Sequence, residues 1–393
     1  MYGHAVVMGS GAGSSGLGVR IVKALVYHGP GQIAWGEKPQ PAIQDAGDVI
    51  VQISKTTICG TDLAILKGGV PTAAPGRTIG HEATGYIAEV GPAVTDLKVG
   101  DHVIIPCTTS CGHCAACRKG IFSSCVRGGW QIGNTIDGVQ AEYARIPLAD
   151  SSLHRIPPDV DEEAALMLAD ILPTGLEVGV QKGEVGLGDT VAIIGAGPVG
   201  LATIMAAGFY SPAEIIAIDL DDNRLAMAQQ LGATAVVNNR DGQAYDRIME
   251  MTGGNGVDVA IEVIGNPATC ELAQQIIGPG GRMSNIGIYS KSVELHKHVL
   301  WTRNITIRMG VVNTSSIPVL LKMVKAGKLD PTRLISHHFD LDRIVEAYDM
   351  FKNAAQEQAI KIVLSNNAAA ASASGSADER AIRRIVAEVL ARM

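Results

Sequence analysis

The stretch "TVAIIGAGPVGLATIMAAGFY", residues 190–210, constrains the fold more than any other part of the chain. An apolar strand, a glycine-rich turn and a helix follow one another, and the turn matches the pattern G-x-G-x-x-G. In this order the turn lies at the carboxyl edge of a sheet, where the amides and dipole at the helix N-terminus receive a pyrophosphate. We therefore predict a dinucleotide-binding turn formed by Gly195, Gly197, Pro198, Val199 and Gly200.

A second match to the same pattern, "GAGSSG" at residues 11–16, lacks this context. It follows only "AVV" and runs into more glycine, so no helix offers its amides to a phosphate. Eight of the ten residues 9–18 are Gly or Ser, a composition typical of flexible linkers. We expect residues 1–20 to form a flexible N-terminal extension that binds no nucleotide.

Two charged residues after the glycine turn bear on the choice of cofactor. Asp219 ends the next predicted strand, "IIAID", where a carboxylate accepts hydrogen bonds from the adenosine ribose and repels a 2′-phosphate. The sequence therefore favours NAD over NADP. Arg224 follows in the next predicted helix, and three interpretations stay open for it: a partner of an NADP phosphate, a flank of the adenosine, or a solvated helix residue.

Strand and helix patterns alternate between residues 175 and 312, which predicts a doubly wound parallel sheet. The preceding part is rich in β-patterns, and 393 residues exceed what one hydrophobic core usually supports, so we expect two domains.

The net charge of −7 argues against a nucleic-acid partner. No apolar run reaches the roughly 18 residues of a membrane span, and no secretory signal precedes the fold, which favours the cytoplasm.

Four of the seven cysteines lie in "CGHCAACRKGIFSSC". Cys111, Cys114, Cys117 and Cys125 have short spacers, which let one loop present four thiolates tetrahedrally to a single ion. Four protein ligands leave no open position, so a zinc ion held here would be structural. An iron–sulfur cluster is the alternative, although no electron-transfer motif accompanies the cysteines.

A second candidate metal site lies in "TTICGTD" and "TIGHEATG". Cys59 and His81 are the thiolate and imidazole of a zinc pair that lacks a third ligand and would keep an open position. Taken singly, Cys59 also fits a buried thiol, and His81 also fits a core histidine.

Together these motifs resemble the zinc-dependent medium-chain alcohol dehydrogenases, in their secondary-alcohol-dehydrogenase-like branch. The match covers roughly residues 22–364, and "CGTD", "GHE", "VGDHV", the four cysteines, "GAGPVG" and "AIKIVL" occur in the family's order. The resemblance implies an α/β fold in which a GroES-like, β-rich catalytic domain, residues 21–174 and 313–365, surrounds a Rossmann domain, residues 175–312. It also implies an active site in the cleft between them.

The resemblance carries the catalytic zinc ligands onto Cys59 and His81, with Asp170 in "MLADILPTG" where many relatives have a cysteine. Glu82 is implied either as a further ligand or as a carboxylate just behind the metal. The implied cofactors are NAD and two Zn²⁺ per subunit, one catalytic and one structural.

The same resemblance assigns roles around the metal. Thr61 takes the place of the proton-relay hydroxyl, and Asp62 that of the hydrogen-bond partner of the His81 ring. Lys361 stands where the family has a basic residue near the pyrophosphate, with a solvated lysine as the alternative. Ala64 is a departure, because many relatives carry a histidine there that ends the relay to solvent.

The implied reaction is reversible hydride transfer between a small primary or secondary alcohol and NAD, giving an aldehyde or ketone. Relatives form homodimers or homotetramers, and the sequence does not choose between these states. Two alternatives stay open: a polyol or amino-alcohol dehydrogenase of the same family, and a non-catalytic binding protein that retains the fold.

The chain continues past "AIKIVL" with a linker at 366–376, followed by an amphipathic helix at Ala377–Met393. Ser376 and Glu379 form a capping box, and apolar residues from Ile382 to Met393 recur at helical spacing. This helix is marginal alone in water, so it needs a surface. Its own enzyme, a membrane and a separate protein are the candidates. The pattern resembles encapsulation peptides of bacterial microcompartment cargo, which implies a shell or cargo protein as partner.

Overall fold

The computed structural model of the protein describes residues 20–367. Its strands form three sheets. In chain order they are β1 Ile21–Gly29, β2 Gln32–Pro39, β3 Val49–Thr57, β4 Arg77–Thr78, β5 Ala83–Val90, β6 His102–Ile105, β7 Tyr143–Ile146, β8 His154–Arg155, β9 Thr190–Ile194, β10 Glu214–Asp219, β11 Ala235–Asn238, β12 Val257–Glu262, β13 Ile277–Asn285, β14 Thr306–Met309, β15 Ile335–Asp340 and β16 Lys361–Ser365.

The helices connect these strands. The α-helices are α1 Gly60–Leu66, α2 Ala149–Ser152, α3 Glu162–Leu166, α4 Ile171–Pro173, α5 Pro198–Gly208, α6 Asp222–Gln230, α7 Ala244–Met251, α8 Pro267–Ile276, α9 Lys297–Leu300, α10 Ile317–Lys325, α11 Ile344–Lys352 and α12 Ala354–Glu357. A π-helix covers Thr174–Gln181 directly after α4, and short 3₁₀ turns cover Cys117–Lys119, Phe122–Ser124, Trp301–Arg303, Pro331–Leu334 and Leu341–Arg343.

The middle of the chain forms a six-stranded sheet in the order β11-β10-β9-β12-β13-β14, and every pair in it is parallel. β9 is almost wholly buried, as expected for a central strand covered by helices on both faces. Its neighbours β10 and β12 lie on opposite sides, so the order of the strands reverses at β9. The glycine turn follows β9 at this reversal, where doubly wound sheets bind their ligands. The predicted parallel α/β fold is confirmed.

The other strands form a three-stranded sheet, β2-β1-β4, and a seven-stranded sheet, β15-β16-β3-β5-β6-β8, in which β7 also pairs with β3. β1 and β2 are the antiparallel hairpin that Gly-Pro-Gly predicts; Gly29 and Gly31 have φ of +134° and +76°. β16 returns from the far end of the described chain and pairs with β3, with Val363 opposite Thr57. This return brings Lys361 level with the segment that carries Cys59.

One buried apolar cluster joins the two larger sheets. It includes Ile104 and Val363 from the seven-stranded sheet, and Val191 and Ile193 from the parallel sheet. The π-helix packs closely on α5: a Cβ at Gly175 would lie 2.8 Å from the backbone nitrogen of Thr203. The segment after Asp170 is therefore held directly against the helix that follows the glycine turn.

Some predictions fall on residues outside this description. The "GAGSSG" stretch, most of the linker and the helix at Ala377–Met393 lie outside residues 20–367, and the domain boundaries stay predictions. Asn366 is buried and donates through its side chain to Ile53 O at 2.9 Å, and Asn367 donates to Asp340 at 2.7 Å. Asn366 and Asn367, the first two residues of the predicted linker, thus contact strands of the seven-stranded sheet. Within residues 20–367, no helix has the length and apolar character needed to cross a membrane.

Candidate active site

The structure brings four potential metal ligands together from three separate segments. Cys59 precedes α1, His81 and Glu82 lie between β4 and β5, and Asp170 precedes α4. One ligand atom from each residue lies within 4.8 Å of the others, and all four residues are buried. We call this group the mixed cluster.

The distances within the mixed cluster show which atoms face its centre. Asp170 Oδ2 lies 3.9 Å from Cys59 Sγ and 3.5 Å from His81 Nε2. Burial alone would raise the pKa of Asp170, but its hydrogen bond with His81 and the charge of that ring lower it to about 2. Thr61 Oγ1, the predicted relay hydroxyl, lies 3.7 Å from Cys59 Sγ. The candidate ligands and the relay hydroxyl are thus neighbours.

The His81 ring is oriented from its other side by Asp62. His81 Nδ1 lies 3.3 Å from Asp62 Oδ1, and neither buried atom has a hydrogen-bond partner of standard geometry among the described residues. Burial would lower the pKa of His81, but the charge of Asp62 and the interaction with Asp170 raise it well above its usual value. Nε2 thus faces the mixed cluster and Nδ1 faces Asp62, an arrangement common among metal-binding histidines.

Lys361 does not lie where the resemblance placed it. Its Nζ donates to both carboxylate oxygens of Glu82, at 2.8 and 2.9 Å, and to Ile58 O at 3.3 Å. The side chain has no exposed surface, so the solvated alternative is also wrong. Burial would lower the pKa of Lys361, but the charge of Glu82 raises it. The ammonium is a counter-ion behind the mixed cluster, because β16 runs beside β3 and not beside the glycine turn.

Two residues that the sequence did not point to support Asp170. Thr174 Oγ1 donates to Asp170 Oδ1 at 2.6 Å, and Cys107 Sγ lies 3.4 Å from the same oxygen. These contacts occupy Oδ1 and leave Oδ2 facing the ligands. Cys107 lies two residues after β6, and nothing in its sequence context signals this contact. Thr174 lies one helical turn after Asp170 and could have been identified by that spacing.

The mixed cluster fits a divalent metal ion. Burying a thiolate, two carboxylates and an imidazole together costs free energy unless positive charge compensates them. Lys361 supplies one charge and is already paired with Glu82. A dication at the centre of Cys59, His81 and Asp170 would balance the remaining thiolate and carboxylate, and these donor types are those that zinc binds.

The four predicted cysteines also come together. Cys114 Sγ lies 3.5 Å from Cys117 Sγ and 4.0 Å from Cys125 Sγ, and all four sulfur atoms lie within 4.8 Å of one another. Backbone amides of Cys117 and Val126 lower the pKa of Cys114 to about 6, which favours its thiolate. We call this group the cysteine cluster. Four close sulfur atoms on one loop fit a tetrahedral structural metal.

The glycine turn has the shape that close contact with a phosphate requires. Gly195 has φ of +108°, and a Cβ on Gly200 would lie 1.8 Å from Gly195 O. A side chain at either position would clash with Ile264 or with the turn itself, so these glycines allow β9 and α5 to pack closely, whereas the space at Gly197 in front of α5 is open. α5 begins at Pro198 after the extended residue Gly197, and no side chain caps its N-terminus. Its first amides are therefore free for a pyrophosphate, and Val199 lies in this first turn.

Asp219 and Arg224 flank this turn. Asp219 Oδ2 accepts from Ala196 N at 2.6 Å, and Oδ1 accepts from the amides of Leu220 and Asp221. A Cβ on Gly197 would lie 4.0 Å from Arg224 Nη1. A carboxylate and a guanidinium thus lie at the end of the turn where the adenosine ribose of a dinucleotide is expected.

Comparison with known proteins agrees with this geometry. The family models "Alcohol dehydrogenase GroES-like domain" and "Zinc-binding dehydrogenase" match residues 45–158 and 198–326. An alcohol dehydrogenase from Cupriavidus necator is 36% identical over 353 residues, covering 85% of this chain and 96% of that protein. An NADP-dependent isopropanol dehydrogenase from Thermoanaerobacter brockii is 31% identical, covering 85% of this chain and 97% of that protein.

A solved structure shows the same arrangement of the backbone. Zinc dependent alcohol dehydrogenase 2 from Streptococcus pneumonia, in its apo form, is similar with a TM-score of 0.84 at 47% identity. The similarity covers 88% of this chain and 98% of that chain.

Proposed function

This chain belongs to the zinc-dependent medium-chain alcohol dehydrogenase family, and from that premise we propose that it transfers a hydride between a small primary or secondary alcohol and NAD. The product is the aldehyde or ketone, and the reaction is reversible. The observation that carries the proposal is the mixed cluster, in which Cys59, His81 and Asp170 converge beside the Thr61 hydroxyl.

The residues of the mixed cluster have two different proposed roles. Cys59, His81 and Asp170 would hold the catalytic zinc, and the paired Glu82 and Lys361 form a neutral buried unit behind it. A zinc ion held by these residues would supply a Lewis acid that lowers the pKa of an alcohol hydroxyl and stabilises negative charge on its oxygen.

Thr61 is the group of this chain that would accept and pass on the alcohol proton, because its hydroxyl lies next to a zinc ligand. A threonine hydroxyl both accepts and donates hydrogen bonds, so it serves as a relay without becoming charged. Ala64, on the same helix α1, has no group to continue the path. We therefore propose that the proton reaches solvent through water and not through a side chain of α1.

For the cofactor we propose NAD. The support is Asp219, whose carboxylate lies at the glycine turn and would repel a 2′-phosphate. Arg224 lies at the same turn and offers a competing site for that phosphate, and a relative 31% identical is NADP-dependent. The variant Asp219→Ser distinguishes the two interpretations. It should lower kcat/KM for NAD and raise it for NADP, whereas wild-type preference for NADP would refute the proposal.

The proposed reaction is tested with a panel of alcohols on metal-replete enzyme, with NAD and NADP in parallel. Formation of NADH from small alcohols and loss of that activity when a chelator removes the metal are expected. The same sample should contain two zinc ions per chain by elemental analysis. A protein with both zinc ions that reduces neither cofactor with any alcohol, polyol or amino alcohol would be a binding protein that retains the fold.

For the C-terminal segment we propose attachment to another protein, specifically the shell of a bacterial microcompartment, with the enzyme otherwise in the cytoplasm. The support is the sequence alone: a capped amphipathic stripe at Ala377–Met393 after a linker of small residues. A fluorescent protein that carries residues 368–393 should concentrate in the shells of cells that make them. Diffuse fluorescence in such cells would refute this role.

A further inference from the structure

A chain of buried hydrogen bonds leads from the mixed cluster to α11. Asp62, which faces His81 through Oδ1, accepts through Oδ2 from Cys59 N at 2.9 Å and from Gln140 Nε2 at 3.2 Å. Gln140 Oε1 in turn accepts from the Tyr348 hydroxyl at 2.8 Å. Asp62, Gln140 and Tyr348 have no exposed surface. The four side chains come from four distant parts of the sequence, so only the fold aligns them.

The Gln140 amide can point in only one direction. Its Nε2 donates to Thr57 O at 3.1 Å as well as to Asp62, and its Oε1 receives the Tyr348 hydroxyl hydrogen. Reversing the amide would face its oxygen towards two acceptors, Thr57 O and the Asp62 carboxylate. Tyr348 and the Thr57 carbonyl together therefore fix a donor against Asp62.

The packing around Gln140 reinforces this orientation. A Cβ on Gly80 would lie 2.4 Å from Gln140 Cγ, and Gly80 has φ of +92°. The Gln140 side chain thus lies directly on the residue before His81. A carboxylate held 3.3 Å from His81 Nδ1 favours the ring hydrogen on that nitrogen, which leaves the Nε2 lone pair for the metal.

We propose that Gln140 and Tyr348 are positioning residues of the catalytic metal site, which act in series through Asp62 on the orientation of His81. Neither residue reaches the mixed cluster, so their effect is on how firmly His81 holds the metal. The inference rests on the proposed zinc site, and the metal content of the wild-type protein tests that site separately.

The test is zinc release from the holoenzyme to a coloured chelator. Release should occur in two phases, one from each cluster, and the phase that the variant Asp170→Asn alters is that of the mixed cluster. Removing partners of a metal-binding histidine weakens metal affinity about 10- to 100-fold. Gln140 contacts Asp62 and not His81 itself, so we expect an effect at the lower end of this range. Gln140→Leu should speed zinc release from the mixed cluster about tenfold, and Tyr348→Phe should speed it about threefold.

The series arrangement makes a sharper prediction. In the double variant Gln140→Leu/Tyr348→Phe, release should be no faster than in Gln140→Leu alone, because the tyrosine acts only through the glutamine. Cobalt-substituted Gln140→Leu and Tyr348→Phe should show an altered visible absorption band, which reports the ligand geometry. kcat should fall while KM for the cofactor stays unchanged. Should Gln140→Leu fail to fold, Tyr348→Phe still decides the question.

Tyr289→Phe is the matched control, since it removes a tyrosine hydrogen bond of 2.7 Å to the buried Glu262. It should lower the melting temperature without changing zinc release. The cysteine-cluster phase is an internal control and should be unchanged in every variant. Wild-type release rates in Gln140→Leu and Tyr348→Phe, additive effects in the double variant, or equal acceleration of both phases would overturn the inference. A wild-type protein with no zinc in the mixed cluster would instead refute the proposed function.

Discussion

The two candidate metal sites differ in how the chain assembles them. The cysteine cluster takes its four sulfur atoms from one loop between residues 111 and 125, and two of its cysteines are partly exposed. The mixed cluster takes its donors from residues 59, 81, 82 and 170, and all of them are buried. Its ligands have side-chain partners behind them: Asp62 for His81, Lys361 for Glu82, and Thr174 for Asp170.

This difference fits the structural and catalytic roles proposed for the two sites. A closed set of four cysteine ligands can define a tetrahedral geometry by itself, and the groups that favour the Cys114 thiolate are local backbone amides. A site that keeps one position open for a substrate has only three protein ligands, so their directions must be held from outside. The fold, and not the local sequence, supplies these supports.

The largest effect is expected from variants that remove a ligand of the mixed cluster. Asp170→Asn and Cys59→Ser should each lower kcat/KM at least about 1,000-fold, because a neutral or weaker ligand reduces the charge stabilisation that zinc supplies. Circular dichroism should show an unchanged fold. Cys270→Ser, at a buried cysteine outside both clusters, is the matched control and should stay active. Full activity of both ligand variants would contradict the assignment of the site.

The next effect tests whether the supports behind the ligands matter. Lys361→Met leaves the buried Glu82 carboxylate without its counter-ion and should lower the free energy of unfolding by about 3 kcal/mol in urea titrations. Adding Glu82→Gln should recover most of the loss. Lys352→Met removes an exposed pair with Asp349 and should change stability by less than about 1 kcal/mol. Equal stability of Lys361→Met and Lys352→Met would show that the buried pair is dispensable.

Breaking the cysteine cluster should affect stability and not chemistry. In Cys114→Ser we expect the zinc content to fall from two ions to one per chain, and the melting temperature to fall by about 5 °C. The folded fraction should retain its activity. Elemental analysis measures the zinc content, and calorimetry measures the melting temperature. If the wild-type protein contained iron and sulfide, the cysteine cluster would hold an iron–sulfur cluster and not a structural zinc ion.

The smallest expected effect is on the pH dependence of stability at acid pH, and it comes from a histidine outside both clusters. Burial lowers the pKa of His154, on β8, to about 4 from its usual 6.5. The folded protein therefore binds fewer protons than the unfolded chain between these values, and this contribution to stability is complete above about pH 6.5 and lost towards pH 4. His154→Asn should flatten the acid side of the stability profile by about 1–2 kcal/mol. An unchanged profile would show that His154 titrates as it does in the unfolded chain.

The parts of the fold that the sequence predicted are those encoded by neighbouring residues. β9, the glycine turn and α5 follow one another directly, so their periodicity and glycine spacing were sufficient. Asp219 ends the next strand, and parallel strands bring their carboxyl ends to one edge of the sheet. The four cysteines also lie on one loop, and their spacing alone indicated a metal site.

The mixed cluster needed more than local pattern. From the sequence, Cys59 could also have been a buried thiol and His81 a core histidine. Asp170 was identified only through resemblance to a family. Lys361 was assigned to the cofactor through the same resemblance, and nothing in its local sequence says which strand lies beside β16. Its bond to Glu82 spans 279 residues of sequence, a separation at which a linear pattern carries no signal.

By itself, then, the sequence determined the strand–helix alternation of a parallel sheet, the glycine turn and the spacing of the four cysteines, because these signals come from residues that are near neighbours along the chain. Tertiary structure alone decided that Lys361 faces Glu82, that Cys107 and Thr174 hold Asp170, and that Gln140 and Tyr348 stand behind Asp62. The physical reason is that buried polar groups must find partners wherever the packed core places them. In this protein the packing of β16, β3 and α11 brings those partners to the mixed cluster.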